Sequence, residues 1–320
     1  MTATILPYGA ILMSLVVPDG KGNLIDVVLG YDTPKEYSHN PACFGATIGR
    51  YANRIGNGVF RLAGKSYSLA RNEGNHHLHG GKRGFDQVPW IVDVLPTKND
   101  QRIRLLYQSK AGEEGYPGNA TCAVTYSVTD LGGLTIEYWA ETDHATPISL
   151  TNHSFFNLAG NRQGSISDQH IAVPANVFLD TDEDKIPTGK LLPVNGTILD
   201  LRRPTHLGSL LEQLPEGLDH GYVLPVSQGS LRLAGEAFSP ITGLTMEVFT
   251  TYPTVHVYTA NHLDGSTPGK AGVRYPAHAA YCFETQNYSD APNHPEFPSA
   301  ILYPHQEYNH RTVFQFRTAS

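Results

Sequence analysis

Alternation of apolar and polar residues recurs along most of this 320-residue chain, and it is the pattern that most restricts the fold. Phe60-Arg61-Leu62 and Tyr67-Ser68-Leu69 flank a Gly64-Lys65 turn, which predicts a hairpin. Ile103, Leu105 and Tyr107 alternate with polar neighbours. Val124, Tyr126 and Val128 do the same before an Asp130-Leu131-Gly132-Gly133 turn, and Leu134, Ile136, Tyr138 and Ala140 after it. Leu244, Met246 and Val248 repeat the pattern, followed by Val255 and Val257 beyond Pro253. A period of two sends one set of side chains inward and the other toward solvent or a second layer. The helical signal is thin: a short piece from Leu207 to Gln213, closed by Pro215 and Gly217. The 31 Gly and 22 Pro are spread throughout, which suits many turns, and no fixed-period repeat interrupts them. The expectation is an all-β chain with few short helices, folded as an antiparallel sandwich in a single domain over residues 1–320.

Composition narrows the partners. Thirty acids against 23 bases give a net charge of −7 with no block of either sign, which argues against nucleic acid or an anionic membrane. No apolar run approaches the ~20 residues of a membrane span. The N-terminal Met1-Thr2-Ala3-Thr4-Ile5-Leu6-Pro7 lacks the basic start and apolar centre of a signal peptide. Cys43, Cys122 and Cys282 are odd in number and unlike a metal knuckle or redox pair, so they read as reduced, mostly buried thiols. A cytoplasmic location is expected.

Two segments can carry chemistry. Glu284-Thr285-Gln286-Asn287-Tyr288-Ser289-Asp290 follows the apolar Ala279-Ala280-Tyr281-Cys282-Phe283, and Thr151-Asn152-His153-Ser154-Phe155-Phe156-Asn157-Leu158 follows Pro147-Ile148-Ser149-Leu150. A carboxylate and an imidazole in one pocket can remove one proton from a substrate and donate another. On pattern alone, Glu284 could equally be a structural partner of an arginine, and His153 a satisfied core residue. His76, His77 and His79 are close together, but no cysteine is near and their spacing does not suit a zinc site. Asp180-Thr181-Asp182-Glu183-Asp184 begins like a calcium loop, yet Lys185 and Leu191 stand where Gly and Glu are required. Trp90 could stack on a sugar or fill the core.

These two segments, with Leu78-His79-Gly80-Gly81 and Gly49-Arg50-Tyr51-Ala52-Asn53-Arg54-Ile55, resemble the aldose 1-epimerase (galactose mutarotase) family. The resemblance runs from Tyr8-Gly9-Ala10 to Pro304-His305-Gln306-Glu307-Tyr308. It implies a large antiparallel β-supersandwich and interconversion of the α and β anomers of free aldoses such as galactose or glucose. It further implies Glu284 as base, His153 as acid and His79 as a second active-site histidine that supports the developing charge. Asn53, Arg54 and Asp219 would contact sugar hydroxyls, the arginine through its planar fork. The glycines after His79 would let backbone approach the ligand, with His76 and His77 at the rim. The implied partner is a monosaccharide, met by a monomer or homodimer, with no cofactor and no metal. Two residues depart from the family pattern. Gly221 replaces the commoner Asn after Asp219-His220, which is expected to reset the loop carrying Asp219. His256 stands for the usual Gln at a sugar contact, which puts sugar preference in question. Three rivals stay open: a glycoside-processing enzyme, which needs two carboxylates; a sugar-binding module without turnover; and a hexose-6-phosphate epimerase, for which no basic cluster is visible.

Overall fold

The computed structural model describes residues 1–95, 101–129, 132–227 and 229–318. Strands form where the alternation predicts them, although the first hairpin turns at Ala63-Gly64, one residue earlier than expected, and Leu69 falls beyond its strand. Val59–Leu62 pairs with Lys65–Ser68, Val59 opposite Ser68 and Leu62 opposite Lys65. Gln101–Ser109, Ala120–Val128 and Gly133–Thr142 form an antiparallel meander. In the turn between the last two, Asp130 and Leu131 lie outside the described residues. The α-helix spans Leu207–Gln213, and its start is capped by His206 Nδ1, which accepts the Ser209 N–H.

The meander belongs to a nine-stranded sheet. Its order is Thr205–His206, His170–Ala172, Arg232–Phe238, Leu244–Thr250, Tyr308–Thr318, Gly133–Thr142, Ala120–Val128, Gln101–Ser109 and Ile91–Leu95. A five-stranded sheet packs on it, ordered Pro187–Pro193, Val177–Thr181, Asp219–Val223, Thr254–Tyr258 and Cys282–Gln286. Val124, Ile136, Val248 and Phe314 from the first sheet share one apolar core with Tyr222, Val255, Val257 and Phe283 from the second. Burying each such side chain contributes about 1.5–3 kcal/mol. At the closest approach only glycine fits: a Cβ on Gly235 would lie 2.5 Å from the Phe283 ring. Trp90 belongs to this core, 3% exposed, with its indole N–H donated to Phe85 O at 3.1 Å.

The five-stranded sheet departs from simple alternation where it matters. Cys282–Gln286 is buried at all five positions, and Thr254–Val257 likewise. Phe283 and Val257 point into the sandwich core, so Glu284 and His256 point the other way. In a two-layer sandwich that outer face would be wet. Here it is covered by chain from the first half of the sequence: Phe44, Ala46, Ile48, Ala52 and Phe155 form a second apolar cluster with Cys282. A carboxylate is thereby carried out of water by ordinary strand geometry plus a third layer. Among the described residues, no helix is long and apolar enough to cross a membrane.

Candidate active site

Between the five-stranded sheet and its covering layer lies a cleft of about 370 Å³, lined among others by Asn53, Arg54, His79, His153, Asp219, His256 and Glu284. All seven residues singled out in the sequence thus meet in one place.

One wall is regular sheet. Gly221, His256 and Glu284 lie in register on three neighbouring strands, and Asp219 begins the first of them. Asp219 is a diagonal neighbour of His256, close enough for side chains to meet, and its Oδ1 lies 2.6 Å from His256 Nε2. Burial alone would raise the Asp219 carboxyl. The His256 hydrogen bond and charge, with Arg54 and Lys185 behind them, hold it well below the usual carboxylate range. Asp219 therefore offers its second oxygen as an ionised acceptor. The segment is a strand, Asp219–Val223, rather than the expected loop, and Gly221 changes the face opposite His256 instead.

The facing wall is irregular chain held by side chains. Asn53 and His79 both take left-handed backbone, with φ of +63° and +52°, a costly conformation that must be held in place. They hold each other. His79 N–H donates to Asn53 O at 3.1 Å, and Asn53 N–H donates to His79 Nδ1 at 3.2 Å. Asn53 Oδ1 accepts from Arg54 N–H and from Ser289 Oγ–H, which leaves its Nδ2 for a ligand. Arg54 does not stand free: its Nε and Nη2 donate to the two oxygens of Glu73 at 2.6 and 2.7 Å.

The polar residues of the motifs outside the cleft join these walls. Tyr51 Oη–H donates to Tyr288 O at 2.7 Å, Asp290 N–H to Arg54 O at 2.9 Å, and Asn287 Nδ2 to Ile148 O at 3.0 Å. The Glu284 segment is thus tied to the Asn53-Arg54 segment and to the chain leading to His153.

At the floor, Glu284 Oε1 lies 3.6 Å from His153 Nε2, with Glu284 2% and His153 7% exposed. That gap is too long for a hydrogen bond, and Glu284 Oε2 is buried without a partner among the described residues. Burial, then the charge of Asp219, pushes the Glu284 carboxyl well above its ordinary range. Burial pulls the His153 imidazolium down to about 4. The His153 ring stacks on Phe155, with centroids 5.0 Å apart, and Cys282 Sγ stands 3.7 Å from its Nδ1. His79, turned edge-on to His153 at 5.3 Å, is held well below its usual pKa, chiefly by burial. Since its Nδ1 accepts from Asn53, the neutral ring carries its proton on Nε2 and is a hydrogen-bond donor.

His79, His153 and Glu284 bring one ligand atom each within 4.8 Å of one another, a spacing that could hold a metal. A metal-ligating histidine, however, donates from its other ring nitrogen, whereas the other nitrogen of His79 accepts. The surroundings suit proton transfer better than coordination.

Some expectations need correction. His77 is not at the rim: it is fully buried, with Nδ1 2.6 Å from Ala70 O and Nε2 2.7 Å from Tyr116 Oη. Gly80 and Gly81 do not line the cleft; Cβ atoms there would sit 1.8 Å from Gly49 O and 2.1 Å from Glu114 Oε2. Their role is close packing of the loop behind His79. Sequence reasoning missed Glu73, which follows Asn72 in an ordinary polar turn, and Cys282, which counted only as a buried thiol. Of the other carboxyls lining the cleft, Asp219 is held by His256, Glu73 by Arg54, and the exposed Asp264 accepts the Ser266 N–H at 2.8 Å, whereas hydrolysis needs two carboxyls flanking the scissile bond.

Comparison with known proteins agrees with this geometry. Residues 1–315 match the family model described as aldose 1-epimerase. The chain is 44% identical over 316 residues to galactose mutarotase of Sus scrofa, covering 98% of this chain and 91% of that protein. It is 33% identical to aldose 1-epimerase of Escherichia coli K12, covering 99% and 92%. A crystal structure of an aldose epimerase homologue from C. elegans superposes with a TM-score of 0.92 at 33% identity, over 99% of this chain and 96% of that one. The chain belongs to the aldose 1-epimerase family, isomerases that interconvert the two anomers of an aldose.

Proposed function

We propose that this chain opens and recloses the ring of free galactose or glucose, with Glu284 as base and His153 as acid. The observation that carries this reading is the buried carboxyl–imidazole pair at the floor of the cleft, close but not hydrogen-bonded. The opposed shifts favour the neutral pair in the free cleft, with the shared proton on Glu284, and the arrangement that reacts is its tautomer. In one arrangement the carboxylate faces a protonated imidazole; in the other the carboxyl is neutral and so is the ring. Ring opening converts the first into the second. Glu284 takes the proton of the C1 hydroxyl, the O–H electron pair becomes the carbonyl π bond, and the C1–O5 pair takes the His153 proton as O5 leaves. The aldehyde turns about C1–C2 and the steps reverse on its other face. The protons travel through the sugar because the 3.6 Å gap is too long for direct transfer. His79 Nε2–H would steady charge on the reacting oxygen, while Asn53, Arg54, Asp219 and His256 orient the hydroxyls.

The cleft draws on chain from Tyr31 to Glu284, which supports treating the whole chain as one catalytic domain. The three unpaired thiols favour a reducing compartment such as the cytoplasm.

The test is the decay of optical rotation of freshly dissolved α-D-galactose and α-D-glucose, with the spontaneous rate subtracted. Wild type should accelerate it, and Glu284→Gln should lose about 10³-fold or more in kcat. No acceleration with either sugar refutes the reading. Acceleration that survives in Glu284→Gln removes Glu284 as base.

A further inference from the structure

Resting on the mutarotase reading above, we propose that Glu73 is a positioning residue of this reaction, which acts by fixing the guanidinium of Arg54 against the cleft. Three observations support this. The contact is two-pronged, Nε to Oε2 at 2.6 Å and Nη2 to Oε1 at 2.7 Å, so it fixes the plane of the guanidinium as well as its place. It is not an ordinary surface pair: the Arg54 side chain is 10% exposed against 37% for Glu73, and both line the cleft. Finally, Glu73 is itself anchored. His76 N–H donates to Glu73 O at 2.8 Å, closing the turn. The preceding Asn72 holds the His79 loop, taking Leu78 N–H at its Oδ1 and donating Nδ2–H to Leu78 O and Gly81 O.

The chemical consequence follows from what an unheld arginine would do. Its side chain samples many rotamers, and a sugar binding to it must freeze them. With Nε and one edge of Nη2 committed to Glu73, the guanidinium arrives already oriented, and Nη1 has no protein partner among the described residues. The benefit is the same before and after ring opening, because hydroxyls away from C1 do not change during the reaction. Glu73 therefore acts on substrate binding, and its loss belongs in KM rather than kcat.

The experiment is steady-state mutarotation of α-D-galactose by wild type, Glu73→Ala, Glu73→Gln, Arg54→Ala and the Glu73→Ala/Arg54→Ala double variant, each with its Tm. Glu73→Ala should raise KM about tenfold, equivalent to about 1.4 kcal/mol, with kcat within about twofold. Glu73→Gln, which keeps one acceptor oxygen, should recover part of that loss. In the Arg54→Ala background, Glu73→Ala should change KM no further, as expected of a residue acting through another. An unchanged KM in Glu73→Ala, or the same increase with Arg54 absent, overturns the assignment. So does a fall in kcat and Tm at constant KM, the mark of a merely structural pair; Glu73→Gln supplies the same reading if the alanine variant does not fold. A wild type that fails to accelerate the reaction removes the mutarotase reading and this inference with it, a result distinct from an active enzyme indifferent to Glu73.

Discussion

The two walls of the cleft are built on different principles. Asp219, His256 and Glu284 stand on three paired strands, each positioned by a ladder of backbone hydrogen bonds extending well beyond the site. Asn53, Arg54 and His79 stand on short segments, two of them in left-handed backbone, held by a few contacts. A ladder spreads the task of positioning over many bonds, so a change at one position is absorbed by its neighbours. A wall of mutual clamps has no such reserve. The proposed acid–base pair spans both constructions, since His153 ends the strand Thr151–His153 in the covering layer while Glu284 lies within the sheet.

A matched pair of glycine substitutions gives the largest expected contrast. A Cβ at Gly80 would lie 1.8 Å from Gly49 O and 2.4 Å from Gly49 C, at a φ of +88°. Backbone on both sides must move, and His79 and Asn53 move with it. A Cβ at Gly221 presses on Leu179 Cδ1 at 2.9 Å, the end of a flexible side chain, with Leu179 Cγ at 3.5 Å and His256 Nδ1 at 3.7 Å in ordinary contact. Gly80→Ala should lose about 100-fold in kcat/KM through misplacement of the site and lower Tm, whereas Gly221→Ala should stay within about fivefold of wild type. Equal losses in the two variants would erase the distinction between the walls.

A second effect, read in stability instead of rate, comes from beneath the irregular wall. His77 precedes Leu78-His79, is fully buried, and burial pulls its pKa to about 4 against an ordinary 6.5. The folded state thus binds this proton more weakly than the unfolded state. The neutral ring's contribution is fully present above pH 6.5 and is lost as pH falls from there toward about 4. The loss amounts to on the order of 3 kcal/mol at most. Urea titrations from pH 7 to pH 4 should show stability falling faster in wild type than in His77→Gln, by nearly one proton's slope. Identical slopes would mean that His77 takes up its proton without disturbing the fold.

The same division separates what could be read in the sequence from what could not. Strands of the nine-stranded sheet were legible because they have one core face and a less buried one, and the helix because Pro215 and Gly217 close it. Glu284 was legible by family resemblance, but its burial was not. Period two places it on the face away from the sandwich core, and only the covering layer, contributed by residues far away in sequence, takes that face out of water. Glu73 was illegible for a related reason. A glutamate in an Asn-Glu-Gly turn looks like solvent-facing charge, and its partner Arg54 is 19 residues earlier on a two-residue strand that no periodicity reveals. The Gly80-Gly81 pair was recognised as a place of close approach, but the approaching groups are Gly49 and Glu114 instead of a ligand.

The smallest expected effect tests the regular wall where it departs from the family pattern. His256 and Gly221, the two departures from the family pattern, face each other in register across adjacent strands. With His256 Nε2 held 2.6 Å from Asp219 Oδ1, the imidazole is pinned at one end, and only its remaining edge and the free oxygen of Asp219 are left for sugar hydroxyls. A glutamine could keep the contact to Asp219 through its amide N–H and present a carbonyl acceptor as well. His256→Gln should therefore keep kcat within about threefold, because the Glu284–His153 pair and its ladder are untouched. It should change the ratio of KM values among galactose, glucose and xylose by several-fold, about 1 kcal/mol of discrimination. The comparison is between sugars in one enzyme, so losses common to all substrates cancel. Constant ratios would show that the hydroxyls distinguishing these sugars do not reach His256. In that case selectivity must come from the opposite wall, where Asn53 Nδ2 and the clamped Arg54 are the groups still available.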